Sequence, residues 1–215
     1  MKRICKTSKL AFTRVGLLVV LGIFAVFLTA FYAWAAKAKA RAIRYSCINN
    51  VKQCALSFMV WSGDHNDRFP MEVSNTLGGT LELVPEGNAF RHFQVMSNEL
   101  STPIVVWCPA DTRRDATNFT HFQNENVSFF VGLDASKSNR QAWLCGDRNL
   151  TNGLALNHTT MKLESGQSAG WTKELHDRCG NVALADGSVQ KISNVELRNT
   201  LKNAAGLTNR LALPE

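Results

Sequence analysis

Residues 15–36, VGLLVVLGIFAVFLTAFYAWAA, form a run of 22 without a charged side chain. A helix of that length rises ~33 Å, against a bilayer hydrocarbon core of ~30 Å. Such a run constrains the chain more than any other feature, because every side of the helix is apolar and needs an apolar surrounding. A soluble core could supply it only by enclosing the helix completely, and the rest of the chain is small. A removable secretory signal is the other alternative, and Ala33-Trp34-Ala35 offers a small-x-small cleavage motif. Signal apolar regions are usually ~7–15 residues, so this run is long for one. The length favours a membrane span, and Tyr32 and Trp34 suit an interfacial aromatic belt at its far end.

Charge is arranged around that run. The formal net charge of +7 would suggest a nucleic-acid binder if it were spread over the chain. It is not. Lys2, Arg3, Lys6, Lys9 and Arg14 precede the apolar segment, and Lys37, Lys39, Arg41, Arg44 and Lys52 follow it, with no acid among them. From residue 53 onward, 14 basic and 17 acidic side chains leave a net of −3. The basicity belongs to the flanks of a membrane segment, where anionic headgroups attract it. No basic face with interleaved aromatics marks a nucleic-acid site. The strongly basic N-terminal flank places the N-terminus in the cytoplasm and the bulk of the chain outside, as a single-pass protein.

Ala36, Ala40, Ile43, Cys47, Val51, Cys54, Phe58 and Trp61 recur at steps of three and four. The apolar helix therefore continues as an amphipathic one, ended by Gly63-Asp64 and Pro70. Four segments follow: a basic N-terminus at 1–14, a transmembrane helix at 15–36, its amphipathic continuation at 37–62 and an α+β domain at 63–215. Within that domain the pattern predicts strands at 104–108, 127–132 and 141–145 and a helix at 89–100. Asp186-Gly187 between apolar-patterned runs at 181–185 and 188–192 predicts a tight hairpin with a type I′ turn. Ser193 and Glu196 have capping-box spacing and open a closing helix at 193–205. The fold class is α+β, a long N-terminal helix packed on a small antiparallel sheet.

Phe12-Thr13-Arg14-Val15-Gly16-Leu17-Leu18-Val19-Val20 resembles the N-terminal motif of bacterial type IV pilins and type II secretion pseudopilins. In that family a short basic leader ends in Gly, and a prepilin peptidase cuts before a Phe. The resemblance implies processing between Ala11 and Phe12. Ala11 stands where the leader Gly is expected, Arg14 replaces an apolar residue, and Gly16 replaces the family's Glu. Cys47-Ile48-Asn49-Asn50-Val51-Lys52-Gln53, the loop Trp61-Ser62-Gly63-Asp64-His65-Asn66-Asp67-Arg68-Phe69-Pro70, and Cys108-Pro109-Ala110-Asp111 resemble successive motifs of one pseudopilin-like group. His176, separated from Asp186-Gly187 by nine residues, matches that group's His-x9-Asp-Gly pattern. The order of the motifs is more specific than any one of them. It implies a pilin-like fold, membrane lipid and other pseudopilin subunits as partners, and a structural role in a type II secretion or type IV pilus-like filament. The rival reading is an uncleaved, signal-anchored extracytoplasmic binding module.

Six cysteines are present: Cys5, Cys47, Cys54, Cys108, Cys145 and Cys179. With the N-terminus in the cytoplasm, Cys5 is separated from the other five. Cys47 and Cys108 lie in the family-like motifs, and the resemblance makes them the favoured disulfide; buried free thiols are the alternative. His176-x-x-Cys179 is half of a zinc pattern with no second half. Asp147, Asn149 and Thr151 place oxygen donors at alternating positions, the kind of loop that takes Ca2+, and Asp64, Asn66 and Asp67 form a second oxygen-rich loop. Turns in which these side chains bond their own backbone are the simpler reading. No Gly-x-Ser-x-Gly elbow or P-loop occurs, and no nucleophile has a marked base, so the sequence predicts no enzyme. His176 and Asp186 read more simply as a hydrogen-bonded His and a turn residue than as a catalytic pair.

Overall fold

The computed structural model describes residues 13–154, 159–203 and 209–214. Its first element is one helix of 50 residues, α1 (Arg14–Gly63). Thr13 caps it: the Thr13 carbonyl accepts from the Leu17 N–H (3.0 Å), and Thr13 Oγ1 accepts from the Gly16 N–H (3.2 Å). Nothing in the interior stops it. Gly16 and Gly22 each cost ~1 kcal/mol, too little to break so long an element. It ends where Asn66 and Asp67 adopt left-handed φ of 56° and 58°. The chain divides into two compact units, Met1–Ala42 and Ile43–Glu215.

In the first unit the most apolar 18-residue window of α1 has no buried residue. Val15, Phe27 and Tyr32 are each at least 70% exposed. By length and composition this is a candidate single membrane span near the N-terminus.

In the second unit α1 buries Cys47, Val51, Cys54, Ala55, Phe58 and Trp61, the stripe that 3.6-residue periodicity makes contiguous. Short turns follow. Three 3-10 segments (Pro70–Glu72, Asn75–Leu77, Leu81–Glu86) lead to α2 (Ala89–Gln94) and α3 (Ser97–Leu100). The single helix expected at 89–100 is thus two. At Met96 the backbone tightens, its N–H bonding the Phe93 carbonyl at 3.1 Å, and Phe93, Met96 and Leu100 all reach the core. The strand expected at 104–108 is instead a 3-10 segment, Pro103–Val106. Pro103 fixes the first φ and Thr102 Oγ1 accepts from the Ile104 N–H (3.5 Å), so capping overrides the β-preference of Ile104, Val105 and Val106.

The sheet strands are β1 (Phe129–Gly132), β2 (Trp143–Asp147), β3 (Leu150–Thr151), β4 (Thr160–Leu163), β5 (Gly170–Trp171), β6 (Cys179–Leu184) and β7 (Val189–Ser193). Helix α4 (Asn194–Asn203) and strand β8 (Asn209–Ala212) follow. Six strands form one antiparallel sheet in the order β4-β8-β1-β2-β6-β7, and β3 pairs with β5. The fold is α+β, a long N-terminal helix with an antiparallel sheet, consistent with a pilin-like arrangement. The predicted strands at 127–132 and 141–145 correspond to β1 and β2, the latter shifted two residues downstream at each end.

Alternation sorts the sheet's side chains into two apolar layers. Phe129, Val131, Cys145 and Ala183 pack with the buried stripe of α1. Phe130, Trp143, Val182, Leu184 and Ile192 pack with Leu197 and Leu201 of α4 and with Trp171. A register shift between Trp143 and Cys145 breaks strict alternation and sends Leu144 and Cys145 to the same layer. Gly180 leaves room for the Trp171 ring, which a Cβ there would strike.

The β6–β7 hairpin forms with a different turn from the one expected. The Gly187 N–H donates to the Leu184 carbonyl (2.9 Å), and only Gly187 has positive φ (82°). This is a four-residue turn whose last residue is a left-handed glycine, the three-residue hairpin loop with a bulge rather than type I′. Asp186 Oδ1 accepts from the Ser188 N–H (2.9 Å) and hydroxyl (2.6 Å), which satisfies the turn locally. The capping box before α4 is present: the Ser193 N–H donates to Glu196 Oε2 (2.7 Å) and the Glu196 N–H to Ser193 Oγ (3.3 Å). Residues 204–208, including the last positions of the helix expected to 205, lie outside those described.

Candidate functional site

Cys47 on α1 and Cys108, two residues past the 3-10 segment Pro103–Val106, are joined by a disulfide with Cα atoms 5.0 Å apart. The surrounding contacts come from the sequence motifs themselves. Asn50, one turn beyond Cys47, donates from Nδ2 to the Trp107 carbonyl (2.7 Å), and Cys54 donates from Sγ to the Val105 carbonyl (3.4 Å). These bonds fasten the 105–108 backbone along α1. Past Cys108 the Asp111 N–H donates to the Cys108 carbonyl (2.8 Å). The Asp111 carboxylate, with no side-chain exposure, receives two bonds from Arg148 at 2.8 Å each. Arg148 also reaches Glu174 at 3.0 Å. Burial alone would push the Asp111 carboxyl up, but the two hydrogen bonds from Arg148, its charge and the Arg113 N–H outweigh it and hold the carboxyl below its usual range.

His176 closes the constellation. It is buried, and its Nε2 lies 3.5 Å from Cys108 Sγ and 3.5 Å from Asp147 Oδ2. Arg44 donates to the His176 carbonyl (3.3 Å). Asp147 is wholly buried at the end of β2, and its Oδ2 accepts from the Asn181 N–H (2.7 Å) and Nδ2 (2.8 Å) across the sheet. Its other oxygen, Oδ1, has no hydrogen-bond partner. Burial pushes Asp147 up to about 7, against the pull of Asn181's two bonds. Burial, followed by repulsion from Arg44 and Lys191, pushes His176 down to about 4. Near neutral pH the imidazole is therefore uncharged, and the 3.5 Å approach is a polar carboxyl–imidazole contact rather than a full ion pair.

Residues singled out in the sequence take different places in the fold. Cys47, Cys108 and His176 converge, with Asn50 and Asp111 bracing them. Asp186 and Gly187 shape the β6–β7 turn. The three oxygen donors Asp147, Asn149 and Thr151 go different ways: Asp147 faces His176, Asn149 Nδ2 donates to the Thr172 (3.1 Å) and Cys179 (3.3 Å) carbonyls, and Thr151 Oγ1 accepts from the Gly153 N–H (3.1 Å). The 61–70 loop is held by its own contacts. His65 stacks on Trp61 with centroids 3.5 Å apart, Lys137 pairs with Asp67, and Phe69 packs edge-on against Phe58. Ala11 and Phe12 lie outside the described residues. Arg44, Arg148 and Asn181 were not marked in the sequence. Asn181 had a signal, since a polar residue inside the apolar run of a buried strand needs a partner. Arg44 was hidden in the basic flank.

Protein-family models, curated proteins and solved structures were compared with this chain, and none matches.

Proposed function

We propose that the chain is a pilin-like structural subunit, anchored in the inner membrane by the apolar part of α1, with its α+β unit outside the cytoplasm. Its role is assembly with other such subunits into a short pseudopilus of the type II secretion or type IV pilus kind. The observation that carries this reading is α1 itself. One helix combines an unburied apolar stretch of membrane-spanning length with a stripe that is built into the core of an α+β unit. The ordered motifs from Cys47 to Gly187 support the same reading, because several of them meet around one disulfide. Filament formation would bury apolar helix surface that lipid covers in the unassembled subunit, and the α+β unit would present Leu56, Val60 and Ile104, all exposed, to neighbours or cargo.

A photocrosslinking residue at Phe24 tests the reading in cells carrying a pilus or secretion assembly apparatus. Adducts with the apolar helices of other subunits are expected. Lipid adducts alone would reject assembly in favour of a second reading, an anchored binding module that does not polymerise. One feature favours that second reading. The first turn of α1 contains no acidic residue, and Gly16 stands where an assembly carboxylate would pair with a freed amine.

A further inference from the structure

The sheet layer that packs against α4 holds a cavity of about 210 Å3, where the β1–β2 loop, β7, α4 and β8 meet. Its floor is apolar: Trp143, Leu184 and Ile192 are each at most 5% exposed. Its rim is made of amides. Asn139 and Gln141 come from the β1–β2 loop, Gln190 from β7 and Asn209 from the start of β8, and Thr200 of α4 adds a hydroxyl. Gln190 reaches the cavity because it shares a face of β7 with Ile192. Among the described residues, no charged side chain lines it.

These amides contrast with others in the α+β unit. Asn124, Asn149, Asn181 and Asn194 all bond to protein neighbours. The side chains of Asn139, Gln141, Gln190 and Asn209 make no hydrogen bond among the described residues. The indole N–H of Trp143, on the floor, has no hydrogen-bond partner among them either, although a buried indole usually finds one. The Trp143 ring stacks with Phe130 (centroids 5.9 Å apart) and Trp171 (6.4 Å), so the floor is already formed and costs little to order on binding.

The lining selects a ligand class. A primary amide offers one acceptor oxygen and two donors, and a hydroxyl likewise both donates and accepts. Four amides over an apolar floor match a ring that carries several hydroxyls and presents a C–H face. An ionic ligand would find no counter-charge there. A wholly apolar ligand would cover the amides and leave them unpaired, at a cost. An extended peptide bonds backbone groups along a sheet edge, whereas these amides stand over a sheet face. The volume lies below the ~300–1,000 Å3 of pockets that enclose a drug-sized molecule, so it suits one ring with the rest of a chain in solvent. We propose that this cavity binds one unit of an uncharged oligosaccharide, the four amides hydrogen-bonding its hydroxyls and the Trp143 floor lying against its ring. The site belongs to the α+β unit and does not depend on assembly of the chain.

The test uses the full chain in a detergent without a sugar headgroup, because an alkyl glycoside would compete. Neutral hexasaccharides of glucose, mannose or galactose are titrated by calorimetry, beside a uronic-acid hexasaccharide. Saturable binding of at least one neutral hexasaccharide in the millimolar range, and none of the uronate, is expected. Gln141→Ala combined with Gln190→Ala should weaken that binding about tenfold, the loss of two hydrogen bonds. The urea midpoint should not move, because both side chains are exposed and unbonded among the described residues. Asn139→Ala, a single change in the loop, should weaken binding several-fold and serves if the double variant misfolds. No binding by any of the neutral hexasaccharides, equal binding of the uronate, or affinity unchanged in the folded variants overturns the proposal.

Discussion

Reduction of Cys47–Cys108 in metal-free buffer isolates the contribution of one covalent bond without altering any side chain's size. The two cysteines are 61 residues apart. Closing a loop of that length in the unfolded chain removes entropy of ~2.1 + 1.5R ln n cal/mol/K, which comes to about 4 kcal/mol at 25 °C. The native state adds little to this figure, because Asn50, Cys54 and Asp111 already fasten the segments on each side of the bridge. The assay is urea unfolding of the full chain in detergent, followed by tryptophan fluorescence, with and without a phosphine reductant and with a chelator in both. Trp61, Trp143 and Trp171 are buried and report the α+β unit. The expected result is a loss of about 4 kcal/mol with a small change in urea dependence. A loss below ~1 kcal/mol would refute the reasoning, because it would mean that the 47–108 loop is already closed in the unfolded ensemble or that the bridge strains the native fold.

Asp111→Ala should destabilise the α+β unit by roughly 3 kcal/mol, since it leaves the half-buried Arg148 with Glu174 alone; a urea midpoint within ~0.5 kcal/mol of the parent would contradict this. His92 is fully buried against Thr80 (Nδ1 to Oγ1, 2.7 Å), and burial pushes it from its ordinary value of 6.5 down to about 4. Its contribution is intact above pH 6.5 and falls away as pH drops towards 4, because only the unfolded chain takes the proton there. The total is about 3 kcal/mol, so His92→Gln should flatten the acid limb of a stability-against-pH curve by that amount. Gly187→Ala forces an L-residue to φ of 82° and should cost about 1 kcal/mol, while Gly166→Ala, also at positive φ, serves as a comparison in an open loop.

The parts of the fold that were readable in the sequence are those set by local chemistry. The 50-residue α1 follows from uninterrupted helical periodicity, the β6–β7 hairpin from Asp186-Gly187, and the start of α4 from Ser193 and Glu196. What escaped is set by remote partners. β8 inserts between β4 and β1, pairing Leu211 with both Met161 and Gly132, and neither Thr160–Leu163 nor Asn209–Ala212 carries enough alternation to announce itself. Residues 104–108 have the composition of a strand but join no sheet ladder among the described residues, and Thr102, Pro103 and the side chains of α1 decide their shape instead. The site divides the same way. Cys47, Cys108 and His176 each stood in a motif, yet the approach of Asp147 and Asn181 to His176 depends on β2 and β6 lying side by side.

The central claim, a processed and membrane-anchored assembly subunit, is tested most directly by the intact mass and N-terminal sequence of the membrane-extracted chain, coexpressed with a prepilin peptidase. The account predicts a chain beginning at Phe12 with the apolar run retained. A chain still carrying Lys2 to Ala11 would contradict the assembly reading and leave a permanent signal anchor, and a chain beginning near Lys37 would contradict the membrane span itself.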